Sequence, residues 1–218
     1  MSMNSPWLRI TEIFLSIQGE ADCVGYPTVF VRLTGCPLRC AYCDSAYAFE
    51  GGERKTLASI VDTVLDYGVQ HVCVTGGEPL AQPEVHALLT SLCDQNLQVS
   101  LETSGAMSVA DVDVRVSRVI DFKTPLSKEQ ARNDYNNVAL LTKKAHVKFV
   151  ICDRTDYEWS LFKVNEYQLH ERAGHVFFSP AYEQLPPRQL AEWIIQDRAP
   201  VRLQIQLHKV LWGDRPGV

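Results

Sequence analysis

Three thiols close together, Cys36, Cys40 and Cys43, are the strongest chemical feature of this sequence. Gaps of three and then two residues let one short loop turn all three sulfurs toward a single soft metal centre. A closed iron–sulfur centre takes four thiolates. With three protein ligands, one metal position stays open for a reacting molecule, as in catalytic metal sites. On spacing alone a zinc site completed by a distant His or Cys also stands, although structural zinc usually draws on two paired clusters and no second CxxC or HxxxH occurs. Seven cysteines, an odd number with only this grouping, make a poor disulfide framework and point to a reducing compartment. Cys73, Cys93 and Cys152 lie in apolar runs and read as small buried hydrophobes. Cys23 has no ligand spacing and reads as structural or incidental.

The elements that must position these thiols follow from the hydrophobic pattern. Short β-branched runs at 28–33, 71–75, 97–102, 118–122, 147–151, 175–178 and 202–206 read as strands, after an N-terminal extended pair that begins at 8–13. Between them, 56–67 and 83–94 carry apolar residues at helical spacing, as does 187–197, which has Pro187 in its first turn. Strands separated by helices imply mainly parallel pairing with right-handed crossovers. A closed eightfold barrel takes about 250 residues, so the expected architecture is an α/β incomplete parallel barrel of about six units. A single domain is expected over 1–218, with a C-terminal tail at 212–218. The cysteine loop and Thr75-Gly76-Gly77-Glu78-Pro79 then both fall at carboxyl ends of strands, where sites gather. The polar stretch 124–137 reads as a loop over a site or a solvated connector.

Composition narrows the class. A net charge of −5, with no basic cluster larger than Lys143-Lys144 and Lys148, argues against a nucleic-acid partner. No uncharged apolar stretch is long enough to span a bilayer, and residues 1–17, interrupted by Arg9 and Glu12, lack the pattern of an export signal. The expectation is a cytoplasmic enzyme with neither membrane nor nucleic acid among its partners.

The spacing CxxxCxxC, with Tyr42 before the last cysteine, resembles the signature of the radical S-adenosylmethionine superfamily, and the glycine turn Thr75–Pro79 resembles the motif that holds the methionine end of that cosubstrate. With Ser16-Ile17-Gln18-Gly19-Glu20, Phe30-Val31-Arg32-Leu33-Thr34-Gly35, Glu102-Thr103-Ser104-Gly105 and Gln206-Leu207-His208-Lys209, the chain resembles the 7-carboxy-7-deazaguanine synthase family over nearly its whole length. The resemblance implies conversion of 6-carboxy-5,6,7,8-tetrahydropterin to 7-carboxy-7-deazaguanine with loss of ammonia. It also implies a 4Fe-4S cluster on Cys36, Cys40 and Cys43, S-adenosylmethionine, magnesium, a one-electron reductant such as a flavodoxin, and a homodimer.

Residue by residue, the resemblance assigns the cosubstrate to Tyr42, Cys43 and Asp44 of the cysteine loop and to Gly77 and Glu78 of the glycine turn. It adds Ser104, Lys123-Thr124-Pro125 and Ser179 at later strand ends, each of which is also ordinary turn chemistry. The substrate falls to Ile17, Gln18, Gly19, Glu20, Arg32, Thr75 and His208. Arg32 has the fork that matches a carboxylate, or else a strand-end salt bridge. Gln18 and Glu20 can read an amide and an exocyclic amine, and a lone His208 is otherwise a structural hydrogen bonder. Magnesium falls to Ser45, where the family commonly has Thr; serine keeps the oxygen but loses the methyl group that fixes the rotamer. A radical-activating enzyme acting on a partner protein shares the cysteine loop and the glycine turn, and its products would differ. A module that only senses S-adenosylmethionine would not need an open cluster.

Overall fold

The structure is a computed structural model that describes residues 6–215 and 217. Strand β1 (Trp7–Ile17) pairs antiparallel with β2 (Pro27–Leu33) on one side and β3 (Glu53–Thr56) on the other. From β2 the sheet grows in parallel and in chain order through β4 (His71–Gly76), β5 (Gln98–Thr103), β6 (Ser117–Asp121), β7 (Ala145–Ile151), β8 (Val176–Pro180) and the two-residue β9 (Arg202–Leu203). Sequential order without a reversal is the arrangement of a barrel, not of a doubly wound sheet. Strands β3 and β9 remain as open edges, so the barrel is incomplete, as expected.

Register decides which side chains see the interior. Successive residues alternate faces, and the pairs Arg32↔Thr75, Cys73↔Ser100, Glu102↔Val119, Asp121↔Lys148 and Val150↔Ser179 align on one face. The other face carries Val31, Leu33, Val72, Val74, Leu101, Ile120, Val147, Phe149 and Phe178, all buried. Helices α1 (Leu57–Asp66) and α2 (Val85–Asp94) cover it with Ile60, Val64, Leu88, Leu89 and Leu92. Thr56 caps α1 by accepting from the Ser59 amide at 3.2 Å. The apolar face stabilises the fold, and the mixed polar inner face is left for chemistry.

The remaining helices are α3 (Arg154–Glu166), α4 (Leu169–Arg172), α5 (Pro187–Gln196) and α6 (Leu207–Trp212). Three expectations need correction. The run 202–206 is a strand for only two residues, because Gln204 turns to bond the carbonyl of Ala21 through its side chain and that of Phe178 through its amide. The crossovers β5–β6 and β6–β7 carry no α-helix. Nor is 124–137 a solvated connector; of the two readings, the loop beside the site is the one its contacts with Arg39 and Ala41 agree with. It folds into short 3-10 turns with Ser127 and Asn137 fully buried, and Asn137 bonds the Met107 carbonyl and the Val109 amide. No helix among the described residues is long and apolar enough to cross a membrane.

Asp156, on the first turn of α3 and fully buried, fixes the start of that segment. Its carboxyl accepts from the Thr124 hydroxyl at 3.1 Å, the Leu126 amide at 3.0 Å and the Cys152 amide at 3.1 Å. Asp156→Ala strands these donors and is expected to lower stability by about 3 kcal/mol, read as a drop in denaturant midpoint. A change below about 0.5 kcal/mol would show that the segment is held elsewhere.

Candidate active site

One cavity of about 460 Å³ opens at the carboxyl ends of the parallel strands, lined by residues from β1, β2 and each of β4–β8. Cys36, Cys40 and Cys43 all face it, while Cys23, Cys73, Cys93 and Cys152 do not. The loop that carries the three thiols is tied on both sides. Gly35 donates to the Ala48 carbonyl, Glu78 donates to the Gly35 carbonyl, and Ala41 donates to the Ser127 carbonyl at 3.0 Å. Arg39 donates its amide to Glu129 at 2.6 Å and its guanidinium to the Cys36 carbonyl at 2.8 Å, stacked over Phe49 at 4.3 Å. The 3-10 segment that follows β6 is therefore the rear wall of the cysteine loop.

Burial pushes the Cys36 and Cys40 thiols up, Cys40 to about 11, so a metal must displace their protons to be held. Among the described residues no three His, Cys, Asp or Glu groups converge as a single ion requires. A cubane does not ask for that, because each sulfur serves its own iron. Three cavity-facing thiols and no fourth fit a 4Fe-4S group with one iron open.

Gly77 sits so close to this loop that a Cβ there would strike the Gly35 carbonyl oxygen and the Cys36 side chain, so only glycine fits. Glu78 is fully buried behind it. Its carboxyl accepts from the Leu80 amide at 2.9 Å, the Thr103 hydroxyl at 2.9 Å, the Ser104 amide at 2.7 Å and the Ser104 hydroxyl at 2.5 Å. That set of bonds locks the glycine turn to the end of β5.

Deeper in the cavity the lining is charged. Arg32 donates its Nε to Glu12 at 2.7 Å, and Glu12 also accepts from Tyr47 at 2.8 Å. Glu20 is buried and meets Lys148 Nζ at 2.5 Å through Oε2 and Gln206 at 2.8 Å through Oε1. Asp121 lies 3.7 Å from Lys148 and 3.1 Å from Lys123. Burial opposes charge throughout this group, yet the mutual attraction prevails. Lys148 overcomes burial to hold Glu20 below its ordinary range, and Glu20 and Asp121 hold Lys148 well above its own. Glu102 goes the other way, because burial outweighs the pull of Lys148 and raises its pKa. At the rim, partial burial of Asp44 is overridden by Lys209 at 3.5 Å and by Gln206, which keep its carboxyl at about 2.

The cavity wall brings together Ile17, Gln18, Glu20, Arg32, Tyr42, Asp44, Ser45, Thr75, Gly77, Ser104, Lys123, Ser179 and His208 with the three thiols. Gly19, Glu78, Thr124 and Pro125 stand behind it. The Gly19 position is one where a Cβ would meet the His208 ring. Thr124 turns its hydroxyl to the Val150 carbonyl and Asp156. Sequence reasoning missed Lys148, Gln206, Tyr47 and Tyr182. For Lys148 a signal existed: a lysine inside the otherwise apolar run of β7 is costly unless paired.

A model of the radical SAM superfamily matches residues 30–116. Solved structures share the fold, among them QueE from Escherichia coli (TM-score 0.76, 23% identity, 93% of this chain and 95% of that one) and Streptococcus suis SuiB bound to its precursor peptide SuiA (TM-score 0.59, 16% identity, 82% and 48%). An open parallel barrel with three thiols at its mouth is that of a radical S-adenosylmethionine enzyme, which works with a 4Fe-4S cluster and that cosubstrate. Among curated relatives, the 7-carboxy-7-deazaguanine synthase of Chlorobaculum tepidum is 42% identical over the whole of both chains. That of Thermoplasma acidophilum is 36% identical over 97% of this chain and 100% of its own. The chain belongs to the 7-carboxy-7-deazaguanine synthase family.

Proposed function

We propose that the protein converts 6-carboxy-5,6,7,8-tetrahydropterin to 7-carboxy-7-deazaguanine with loss of ammonia, a step toward queuosine and related deazapurines. The observation that carries this reading is one cavity shared by three thiols and by a carboxylate-matching guanidinium beside buried amide and carboxyl groups. When bound, the cluster on Cys36, Cys40 and Cys43 supplies the electron that cleaves S-adenosylmethionine to methionine and a 5′-deoxyadenosyl radical.

The chain's own residues bind and orient. Arg32 has its Nε committed to Glu12, which leaves its Nη edge to grip the substrate carboxylate. Gln18, 2% exposed, holds an Nε2 with no partner; a pterin carbonyl would satisfy that donor. Glu20 accepts from the pterin N–H groups, between Ile17 on one side and Thr75 and His208 on the other, with Gly19 behind it. Burial holds His208 below its ordinary range, so it serves as a neutral imidazole at pH 7. Tyr42, Cys43, Asp44, Gly77, Ser104, Lys123 and Ser179 receive the cosubstrate. Glu78, Thr124 and Pro125 support it from behind the wall. The net reaction is redox-neutral and loses only ammonia, so the protein's task is to hold geometry and exclude competing solvent.

Magnesium belongs to this reading, on the Ser45 hydroxyl beside the substrate carboxylate. What supports it is that Ser45 donates to Asp44 at 3.0 Å, which puts two oxygen-bearing side chains side by side at the rim. Ser45→Ala is expected to raise the magnesium concentration needed for half-maximal turnover by about tenfold. Unchanged dependence on added magnesium would remove Ser45 from the site. A one-electron reductant such as a flavodoxin, a homodimer and a cytoplasmic setting complete the proposal.

The test is an anaerobic assay of cluster-loaded protein with the carboxytetrahydropterin, measuring 5′-deoxyadenosine and deazaguanine together. Both should appear. Deoxyadenosine without deazaguanine would keep the enzyme class and reject the substrate.

A further inference from the structure

Lys148 has no assigned role, yet it is the hub of the buried charges in the cavity. It projects from β7 onto the inner face, 8% exposed, with Glu20 Oε2 at 2.5 Å and Asp121 Oδ2 at 3.7 Å. Glu20 comes from the loop between β1 and β2, 128 positions away in the chain. That loop is tied by local turns, by the Gln204 side chain on Ala21, by the Leu207 amide on Gly19, and at Asp22 by His146 of β7 at 3.3 Å and Ser117 of β6 at 3.5 Å. Lys148 supplies the ion pair that holds the Glu20 carboxyl.

We propose that Lys148 is a positioning residue for substrate binding: it fixes the Oε2 edge of Glu20 so that the Oε1 edge is presented to the N–H groups of the bound pterin. A carboxylate oxygen accepts more than one hydrogen bond, so Oε1, already shared with Gln206, retains capacity for a ligand. The inference rests on the reading of Glu20 as a substrate contact. It adds that Glu20 performs this role only as a carboxylate, and that Lys148 keeps it one.

The charges around Glu20 support this assignment. Lys148 on β7 faces it directly, and His208 on α6 lies close by. Glu102 on β5, Asp121 on β6 and Lys123 after β6 complete the shell around Lys148, with Asp44 beyond Gln206. Removing Lys148 leaves Glu20, Glu102 and Asp121 with Lys123, which already pairs with Asp121 at 3.1 Å, and with Arg32, which acts on Glu102 and is already bonded to Glu12. Burial, which opposes ionisation of Glu20, is then unbalanced. The carboxyl is expected to take up a proton as pH falls toward neutrality and to lose it again as pH rises.

The readout is equilibrium binding of the carboxytetrahydropterin to anaerobic, cluster-loaded protein without reductant. Lys148→Met should weaken binding by about tenfold or more relative to the native chain at about pH 6.5, and by no more than about threefold at about pH 9. A ratio that is the same at both pH values, or near one throughout, would overturn the proposal, because a merely structural lysine has no reason to act through a proton. Glu20→Gln separates the two layers of the argument. If it binds the pterin as the native chain does, Glu20 is no substrate contact and that reading falls first. If it binds weakly while the Lys148→Met ratio is flat, only the role of Lys148 falls. The double variant Glu20→Gln/Lys148→Met exchanges the ion pair for neutral groups, so it keeps the test alive should the single lysine variant not fold. It should match Glu20→Gln at every pH, and a further loss beyond Glu20→Gln would count against the proposal.

Discussion

Cys40→Ala is expected to abolish turnover, more than about a thousandfold, while leaving the fold standing. The thiol is partly exposed at the rim of the cavity and bonds nothing in the protein. Its loop is held by backbone bonds from Gly35, Ala41 and Arg39 that the substitution does not touch. Iron content should collapse with activity, since two remaining thiolates cannot retain a cubane that already borrows one ligand from outside the protein. Cys73→Ala is the control. That thiol is fully buried on the inner face of β4, 3.8 Å from Glu102 and below the cavity lining, so iron should stay bound at a cost of about 1–2 kcal/mol in stability. Equal iron loss in both variants would show that the cysteine loop has no special place in the chemistry.

The second large effect is expected at Glu78, a residue that never touches the cavity. Glu78→Gln exchanges an oxygen that accepts for an amide that donates, among the Leu80, Thr103 and Ser104 groups that all donate inward. Stranding at least one of those buried donors should cost about 3 kcal/mol. Because the same bonds hold Ser104 and the glycine turn against the cosubstrate wall, S-adenosylmethionine cleavage should fall about 10–100-fold with iron retained. Melting curves and deoxyadenosine yield check the two parts separately. A loss of cleavage with no loss of stability would mean that Glu78 contacts the cosubstrate directly.

Local signals in the chain reached the cysteine loop, the glycine turn and the order of the strands, because each is written in neighbouring residues. Helix α3 escaped for a physical reason: its buried face is Asp156, Tyr157, Ser160 and Val164, half of it polar, so no apolar stripe marks it. Its start is written instead in Asp153, whose side chain caps the Asp156 amide. The crossovers on either side of β6 carry no α-helix, and side-chain bonds such as those of Asn137 and Asp156 pack them instead. The ties of Glu78 to Ser104 and of Lys148 to Glu20 span 26 and 128 positions. No local pattern records them, and only the folded register brings them together.

The central claim is that three sulfurs leave one iron free for S-adenosylmethionine. Electron paramagnetic resonance of the reduced, cluster-loaded protein, taken with and without isotopically labelled S-adenosylmethionine, measures this most directly. The spectrum should shift on addition, with hyperfine coupling to the labelled amino nitrogen and carboxylate oxygen of the methionine end. A cluster whose signal ignores S-adenosylmethionine, or a chain that carries zinc in place of iron, would contradict it.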